Sequence, residues 1–221
     1  MLSIIVPTFN EEETIENFLL VIKKLKLKNY EVIIVDDSKD STAEIAKKFM
    51  KKNKMRGKVI ERVKKKGKGS AIRDGLKFAK GDYIALIDAD LQYNPKDIPK
   101  MISLLKNYDL VNTRRLRKDS FYRKILGLIF RFFVFLLFDL KIETQSTLRA
   151  FKKELKNIKF YTDGWTWDVE FLYKAKKAGY RICEYPIIYG RRKEGKSKIN
   201  VFTLFKMFFE LLKIRIFLHI F

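Results

Sequence analysis

Asp88 and Asp90, separated only by Ala89, close the apolar run Tyr83-Ile84-Ala85-Leu86-Ile87. An apolar strand that stops on Asp-Ala-Asp delivers two carboxylates to the carboxyl edge of a sheet, where open α/β folds hold their ligands. Hard oxygen donors in such a place suit Mg²⁺ or Mn²⁺ bridging a diphosphate. The side-chain carbonyl of Gln92, two residues on, could complete the shell. The same spacing also serves a plain strand end that caps the next helix, so the surrounding chain decides what the pair is for.

The elements that must position this pair are legible from periodicity. Strand-like runs occur at Leu2–Val6, Glu31–Val35, Lys58–Val63, Tyr83–Ile87 and Leu110–Thr113, with helical patterns at about 12–27, 41–50, 70–79 and 97–105 between them. In the first helix Ile15, Phe18, Leu19, Ile22 and Leu25 keep the three-four spacing of one buried face. Strand–helix alternation at this spacing predicts a doubly wound, mainly parallel sheet. The second half changes character. Ile125–Phe138 is apolar except for Arg131, and it is shorter than the roughly 20 residues a membrane span needs. Val201–Phe221 is rich in Phe, Leu and Ile, with Lys206, Glu210 and Lys213 forming one polar stripe at i, i+4 and i+7. Both segments read as amphipathic helices lying in a lipid headgroup region; core packing or a dimer face is the alternative.

Further polar patterns sit at the ends of these elements. Val6-Pro7-Thr8-Phe9-Asn10-Glu11 follows the first strand, where Pro7 should stop the ladder and the loop offers a ring and a carboxylate. It is no Gly-x-Gly-x-x-Gly turn, which argues against a nicotinamide or flavin site. Val35-Asp36-Asp37-Ser38 ends the second strand with acids that could accept from a ribose hydroxyl or a base N–H, or cap the next helix. Gly67-Lys68-Gly69-Ser70-Ala71 opens a helix, where glycines allow close backbone approach and the N-terminus favours an anion; its spacing is not that of a Walker loop. Arg191-Arg192-Lys193-Glu194-Gly195-Lys196-Ser197-Lys198 is a basic loop that could close over phosphates, or simply be a solvated charge run.

Composition narrows the chemistry. The chain has 221 residues, with 48 Lys and Arg against 26 Asp and Glu, a net charge of +22. Such an excess implies an anionic partner, although Lys-rich, Ile-rich composition also accompanies heat adaptation. One cysteine, Cys183, precludes an internal disulfide, and one histidine, His219, leaves no basis for a Ser-His triad or a His-rich zinc site. The N-terminus shows no signal-peptide pattern, so a cytoplasmic location at the membrane face is expected. Lysines are dense from Lys47 to Lys68, yet no nucleic-acid reading motif accompanies them, and nucleic acid is not expected as a partner.

In their order along the chain, Pro7-Thr8-Phe9-Asn10-Glu11-Glu12, Val35-Asp36-Asp37-Ser38, Gly67-Lys68-Gly69-Ser70-Ala71, Asp88-Ala89-Asp90-Leu91-Gln92 and Arg192-x-x-Gly195-x-Ser197-Lys198 resemble the dolichol-phosphate mannose synthase branch of the family 2 glycosyltransferases. The resemblance implies a GT-A nucleotide-diphospho-sugar transferase fold over 1–198, with a nucleotide-sugar half at 1–115, an acceptor half at 116–198 containing an amphipathic segment at 121–140, and a C-terminal amphipathic helix at 199–221. It implies that Pro7, Phe9, Glu11, Val35 and Asp37 line the nucleotide pocket, with Asp88 and Ala89 beside it. Asp88, Asp90 and Gln92 would hold Mg²⁺ or Mn²⁺. Arg114, Arg123, Arg192 and Lys198 would hold phosphates, and Asp90, Arg114 and Arg123 carry the catalytic roles. The implied donor is a nucleotide-diphosphate sugar, with GDP-mannose favoured and UDP-glucose as the alternative, and the acceptor is a polyprenyl phosphate. The family pattern is broken at Gly127, where a serine is expected, and at Thr147, where a glycine is expected. Trp167-Asp168-Val169-Glu170 is closer to relatives that transfer glucose or other sugars to lipid phosphates.

The chemistry is self-consistent. A lipid monophosphate is largely dianionic near neutrality, its second pKa being about 6, so it attacks without a general base and inverts the anomeric centre. Transfer to a sugar hydroxyl would instead need a base, for which Asp168 is the candidate.

Overall fold

The computed structural model describes residues 1–63, 67–116, 121–190 and 201–220, leaving aside the side chains at 121–124, 201–205 and 217–220. The strands are β1 (Leu2–Thr8), β2 (Tyr30–Asp36), β3 (Gly57–Glu61), β4 (Tyr83–Leu86), β5 (Leu110–Leu116), β6 (Arg149–Lys152) and β7 (Ile182–Ile188). The helices are α1 (Ile15–Lys24), α2 (Thr42–Lys52), α3 (Lys68–Phe78), α4 (Ile98–Leu104), α5 (Phe121–Phe138), α6 (Trp167–Lys177) and α7 (Val201–Ile220). They form a seven-stranded sheet of order β3-β2-β1-β4-β6-β5-β7. Pairing is parallel except where β6 runs antiparallel between β4 and β5.

Because side chains alternate across a strand, each apolar strand divides its residues between two cores. Ile5, Ile33, Val35, Ile84, Leu86 and Phe151 face one layer with residues of α3, α5, α6 and α7. Ile4, Val6, Val32, Ile34, Ala85 and Ile87 face the other, with residues of α1, α2 and α4. Near-continuous apolar strands are what a sheet covered on both faces requires, so these runs could not have belonged to a one-faced sheet. The doubly wound expectation holds for this reason.

The strand order reverses between β1 and β4, which places a switch-point crevice outside their carboxyl ends. The two strands pair only from Leu2↔Tyr83 to Ile5↔Leu86, so the chains diverge beyond this point. Pro7 does not end β1, contrary to expectation: on the β2 side pairing continues through Pro7↔Val35 to Thr8↔Asp36. Main-chain groups alternate sides, and Ile5 O accepts from Ile87 N on the β4 side. Pro7 therefore directs its missing N–H toward β4, past the last pair, where no ladder bond is lost.

The two apolar helices are not free amphipathic segments. Phe130, Val134 and Phe138 of α5 and Met207, Leu211 and Ile214 of α7 are buried in the first core. The helices meet through Phe133 and Phe208, whose rings lie 4.7 Å apart. Core packing, the alternative reading, thus takes one face of each. Ile125, Leu128, Ile129, Phe132, Phe135 and Leu136 of α5, with Phe209 and Ile216 of α7, remain exposed. The polar stripe of α7 is also broken, because Glu210 accepts from Thr166 Oγ1 at 2.8 Å. Among the described residues, no helix is long and apolar enough to cross a membrane.

Candidate active site

The crevice is floored by the residues that follow β4. Ala89 points into the second core and is buried, which turns Asp88 and Asp90 to the open side. Leu91 then adopts a left-handed backbone with φ +57, a conformation disfavoured for a side chain of its size. Asp90 Oδ1 accepts from Gln92 N at 3.1 Å and holds this turn. Burial, above all, and then the nearby charge of Asp88 push the Asp90 carboxyl up to about 6, against the opposing pull of the Gln92 N–H and Lys68; Glu11 adds to the upward push. Glu11 comes from the loop after β1, so the two loops at the switch point do converge.

The two acids are a fit for a divalent cation of the Mg²⁺ type. A partly buried like-charge pair is relieved by a cation, and the Lys68 ammonium already lies 2.7 Å from Asp88 Oδ1 and 2.9 Å from Oδ2. Among the described residues no cluster of three or more His, Cys, Asp or Glu could hold a metal ion. The protein thus offers two carboxylates, leaving the other positions to phosphate oxygens and water, as such cations are commonly bound. Gln92, expected as a third ligand, makes bonds within the protein to the end of the described 121–190 segment. Its Oε1 accepts from Tyr189 OH at 2.9 Å, its Nε2 donates to Gly190 O at 3.3 Å, and its own O accepts from Gly190 N at 2.9 Å. These bonds fasten the chain immediately before the basic loop to the floor of the crevice.

Phe9 and Glu11 lie half-buried in the loop after β1, and Pro7 lies half-buried in the strand below. Asp37 is nearly buried and is held by Arg62, whose Nε donates to Oδ1 at 2.6 Å while Nη2 donates to Oδ2. Arg62 also reaches Ser70 Oγ at 2.8 Å and Asp74 Oδ2 at 3.2 Å, tying β2, β3 and α3 together. Val35 is wholly buried under α3, so the structure does not bring its side chain to the crevice. Arg114 is exposed near the end of β5. Arg192 and Lys198 lie outside the described residues, as does the Arg123 side chain.

The glycine-containing start of α3 departs from its expected role. Its leading N–H groups are occupied by protein, with Gly69 N donating to Asp163 O at 2.9 Å and Ser70 N to the same oxygen at 3.4 Å. A Cβ at Gly69 would overlap the Thr162 carbonyl oxygen and lie 2.7 Å from Trp167 Cβ. The glycine is needed for approach of the 162–167 segment, so this helix terminus does not present a bare anion cradle.

Two arginines, Arg115 and Arg149, were not singled out from sequence. Arg115, beside the expected Arg114, is the inward neighbour: it pairs with Glu143 at 3.1 Å and lies 5.2 Å from the Tyr189 ring. Arg149 is fully buried, with Nε donating to Asn112 Oδ1 at 2.8 Å, Nη2 3.7 Å from Asp168 Oδ2, and Nη1 without a hydrogen-bond partner among the described residues. Burial pushes the Asp168 carboxyl up to about 6 despite Arg149. Thr147, at the departure from the family pattern, receives the Lys68 ammonium on Oγ1 at 2.6 Å. The sequence marked Thr147 as a departure from the family pattern and Asp168 as a candidate base, whereas Arg115 and Arg149 carried no signal beyond their polarity.

A sheet of this order with an acid pair at its switch point defines the GT-A class of nucleotide-diphospho-sugar transferase folds. The match of residues 3–176 to the model of Glycosyl transferase family 2 makes the chain a member of that family. It is 34% identical over 217 residues to a protein of Pyrococcus furiosus named dolichol-phosphate mannosyltransferase, covering 92% of this chain and 60% of that protein. The chain therefore spans less than two thirds of that relative. An uncharacterized protein of Methanocaldococcus jannaschii is 35% identical over 200 residues, covering 81% of this chain and 84% of its own length. Among solved structures, glucosyl-3-phosphoglycerate synthase from Mycobacterium tuberculosis in complex with Mn²⁺, UDP-glucose and phosphoglyceric acid superposes with a TM-score of 0.76 at 22% identity, covering 97% of this chain and 78% of that one.

Proposed function

We propose that the protein transfers a hexose from a nucleotide-diphosphate sugar to a polyprenyl phosphate at the cytoplasmic face of a membrane, with inversion. Mannose from GDP-mannose is favoured, in line with the name of the Pyrococcus relative, and glucose from UDP-glucose is the alternative. The observation that carries the reading is the Asp88–Asp90 pair at the β1/β4 switch point, with too few ligands among the described residues for a self-contained metal site. A divalent ion bound there would stabilise the charge that develops on a departing diphosphate. The protein's own part is to position: Phe9, Glu11 and Asp37 at the nucleotide, and Arg114, Arg123, Arg192 and Lys198 at phosphate. The exposed apolar rows of α5 and α7 support a lipid-facing location, since a soluble monomer rarely exposes a contiguous patch of that kind.

A second reading, transfer to a sugar hydroxyl, is favoured by one observation. The Asp168 carboxyl, pushed up to about 6, lies in the range useful for a general base. The two readings separate in one experiment. Purified protein is given labelled GDP-mannose or UDP-glucose, with Mn²⁺ or EDTA, and either polyprenyl phosphate in detergent or a panel of saccharides. Metal-dependent label in the lipid fraction is the expected result. Label only in saccharide would replace the proposal with the second reading, and no transfer to either acceptor would end both.

A further inference from the structure

Once Asp163 has taken the leading N–H groups of α3, what the glycine-containing motif contributes to the crevice is the side chain of Lys68. Its ammonium contacts both oxygens of Asp88 at 2.7 and 2.9 Å and Thr147 Oγ1 at 2.6 Å. It also lies 5.4 Å from the ring of Trp165, which is exposed. The side chain is only 15% exposed, so this is a built contact rather than a surface ion pair. A lysine ammonium is a compact charge on a flexible stem, and here it neutralises one of the two carboxylates read as cation ligands. An ammonium and a divalent ion cannot both occupy the inner side of one carboxylate, because like charges a few Å apart in a partly buried site repel strongly.

We propose that Lys68 is a tethered counter-ion. It holds Asp88 in the resting protein and gives it up when a nucleoside diphosphate arrives with its divalent ion, its ammonium passing from the carboxylate to the diphosphate. The inference rests on the reading of Asp88 and Asp90 as cation ligands. It has a thermodynamic consequence: a divalent ion arriving alone must displace the ammonium without offering it a new partner. Metal alone therefore binds weakly, and nucleotide and metal bind with positive coupling, each strengthening the other by the same factor.

The test is Mn²⁺ binding followed by loss of the free-ion electron paramagnetic resonance signal, alone and with GDP or UDP. Wild type, Lys68→Met and Asp88→Asn are compared. Methionine keeps the apolar stem, and Lys68→Gln, which keeps a polar contact to Thr147, serves as the second variant. Removal of the ammonium is expected to tighten Mn²⁺ binding in the absence of nucleotide about tenfold and to reduce the nucleotide–metal coupling by a similar factor. Asp88→Asn should abolish binding of Mn²⁺ alone. In parallel, Trp165 fluorescence, assigned by comparison with Trp165→Phe, should change when Mg²⁺ and nucleotide are added together. Unchanged or weaker Mn²⁺ binding in both Lys68 variants, with Asp88→Asn still defective, overturns the counter-ion role and leaves the ligand reading standing. No Mn²⁺ binding by wild type or by either Lys68 variant, with or without nucleotide, overturns both.

Discussion

Replacing Asp90 by asparagine should make the metal-free protein more stable while removing its activity. The Asp90 carboxyl is pushed from an ordinary 3.8 to about 6, first by burial and then by Asp88. That gap corresponds to about 3 kcal/mol of disfavoured ionisation, at about 1.36 kcal/mol per pH unit. The sign follows from linkage. Below about pH 4 the group is protonated in the folded and unfolded states alike and nothing is lost. As pH rises from about 4 to about 6 the unfolded chain ionises first, and the folded state loses stability relative to it; above about 6 the loss is complete. Asparagine does not titrate, is close in shape, and keeps an Oδ1 to accept from Gln92 N. The variant in EDTA should therefore match wild type near pH 4 and exceed it by about 1–3 kcal/mol at pH 7.5, the upper figure being the full ionisation term. For a chain of this size that is a rise in melting temperature of roughly 3–10 °C. Differential scanning calorimetry in EDTA at both pH values measures it. Addition of Mn²⁺ with nucleotide should then raise the melting temperature of wild type far more than that of the variant. An Asp90→Asn protein no more stable than wild type at pH 7.5, or one whose advantage persists at pH 4, would refute the electrostatic account.

Other consequences follow from the same geometry. Arg62→Met leaves Asp37 buried without its guanidinium partner, and urea denaturation should show a loss of about 3–5 kcal/mol. Gly69→Ala places a methyl group against the Thr162 carbonyl oxygen and Trp167 Cβ; the α3–α6 contact must open, with an expected loss of about 1–3 kcal/mol and weaker nucleotide binding by calorimetry. Phe132→Asp with Leu136→Asp on the exposed row of α5 should reduce cosedimentation with anionic vesicles severalfold and leave the unfolding free energy in urea within about 1 kcal/mol of wild type, since both positions are more than half exposed.

Much of the fold was legible because buried parallel strands and amphipathic helices each carry a strong period. β1 to β5 and α1 to α4 fall where alternation placed them, within a few residues at their ends. β6 and β7 escaped notice. β6 is four residues long, Arg-Ala-Phe-Lys, and its polar ends are satisfied by partners remote in sequence: Arg149 by Asn112 and Lys152 by Asp109. Its antiparallel insertion between β4 and β5 leaves no local signal. The apolar segments at 125–138 and 201–220 were legible as helices, but composition could not reveal that one face of each belongs to the core.

The sequence by itself determined the acid pair, its place at the end of an apolar strand and the family pattern around it, because these depend on neighbours in the chain. Tertiary structure alone decided which charged groups meet. Lys68 is 20 residues from Asp88 and 79 from Thr147, yet its ammonium contacts both. The choice of Arg115 rather than Arg114 as the inward arginine follows from the pleat of β5, and that of Arg149 and Asp168 as a buried pair from the docking of α6. Ionisation and pairing are set by distance in space and by exclusion of water, and neither quantity is local to the chain.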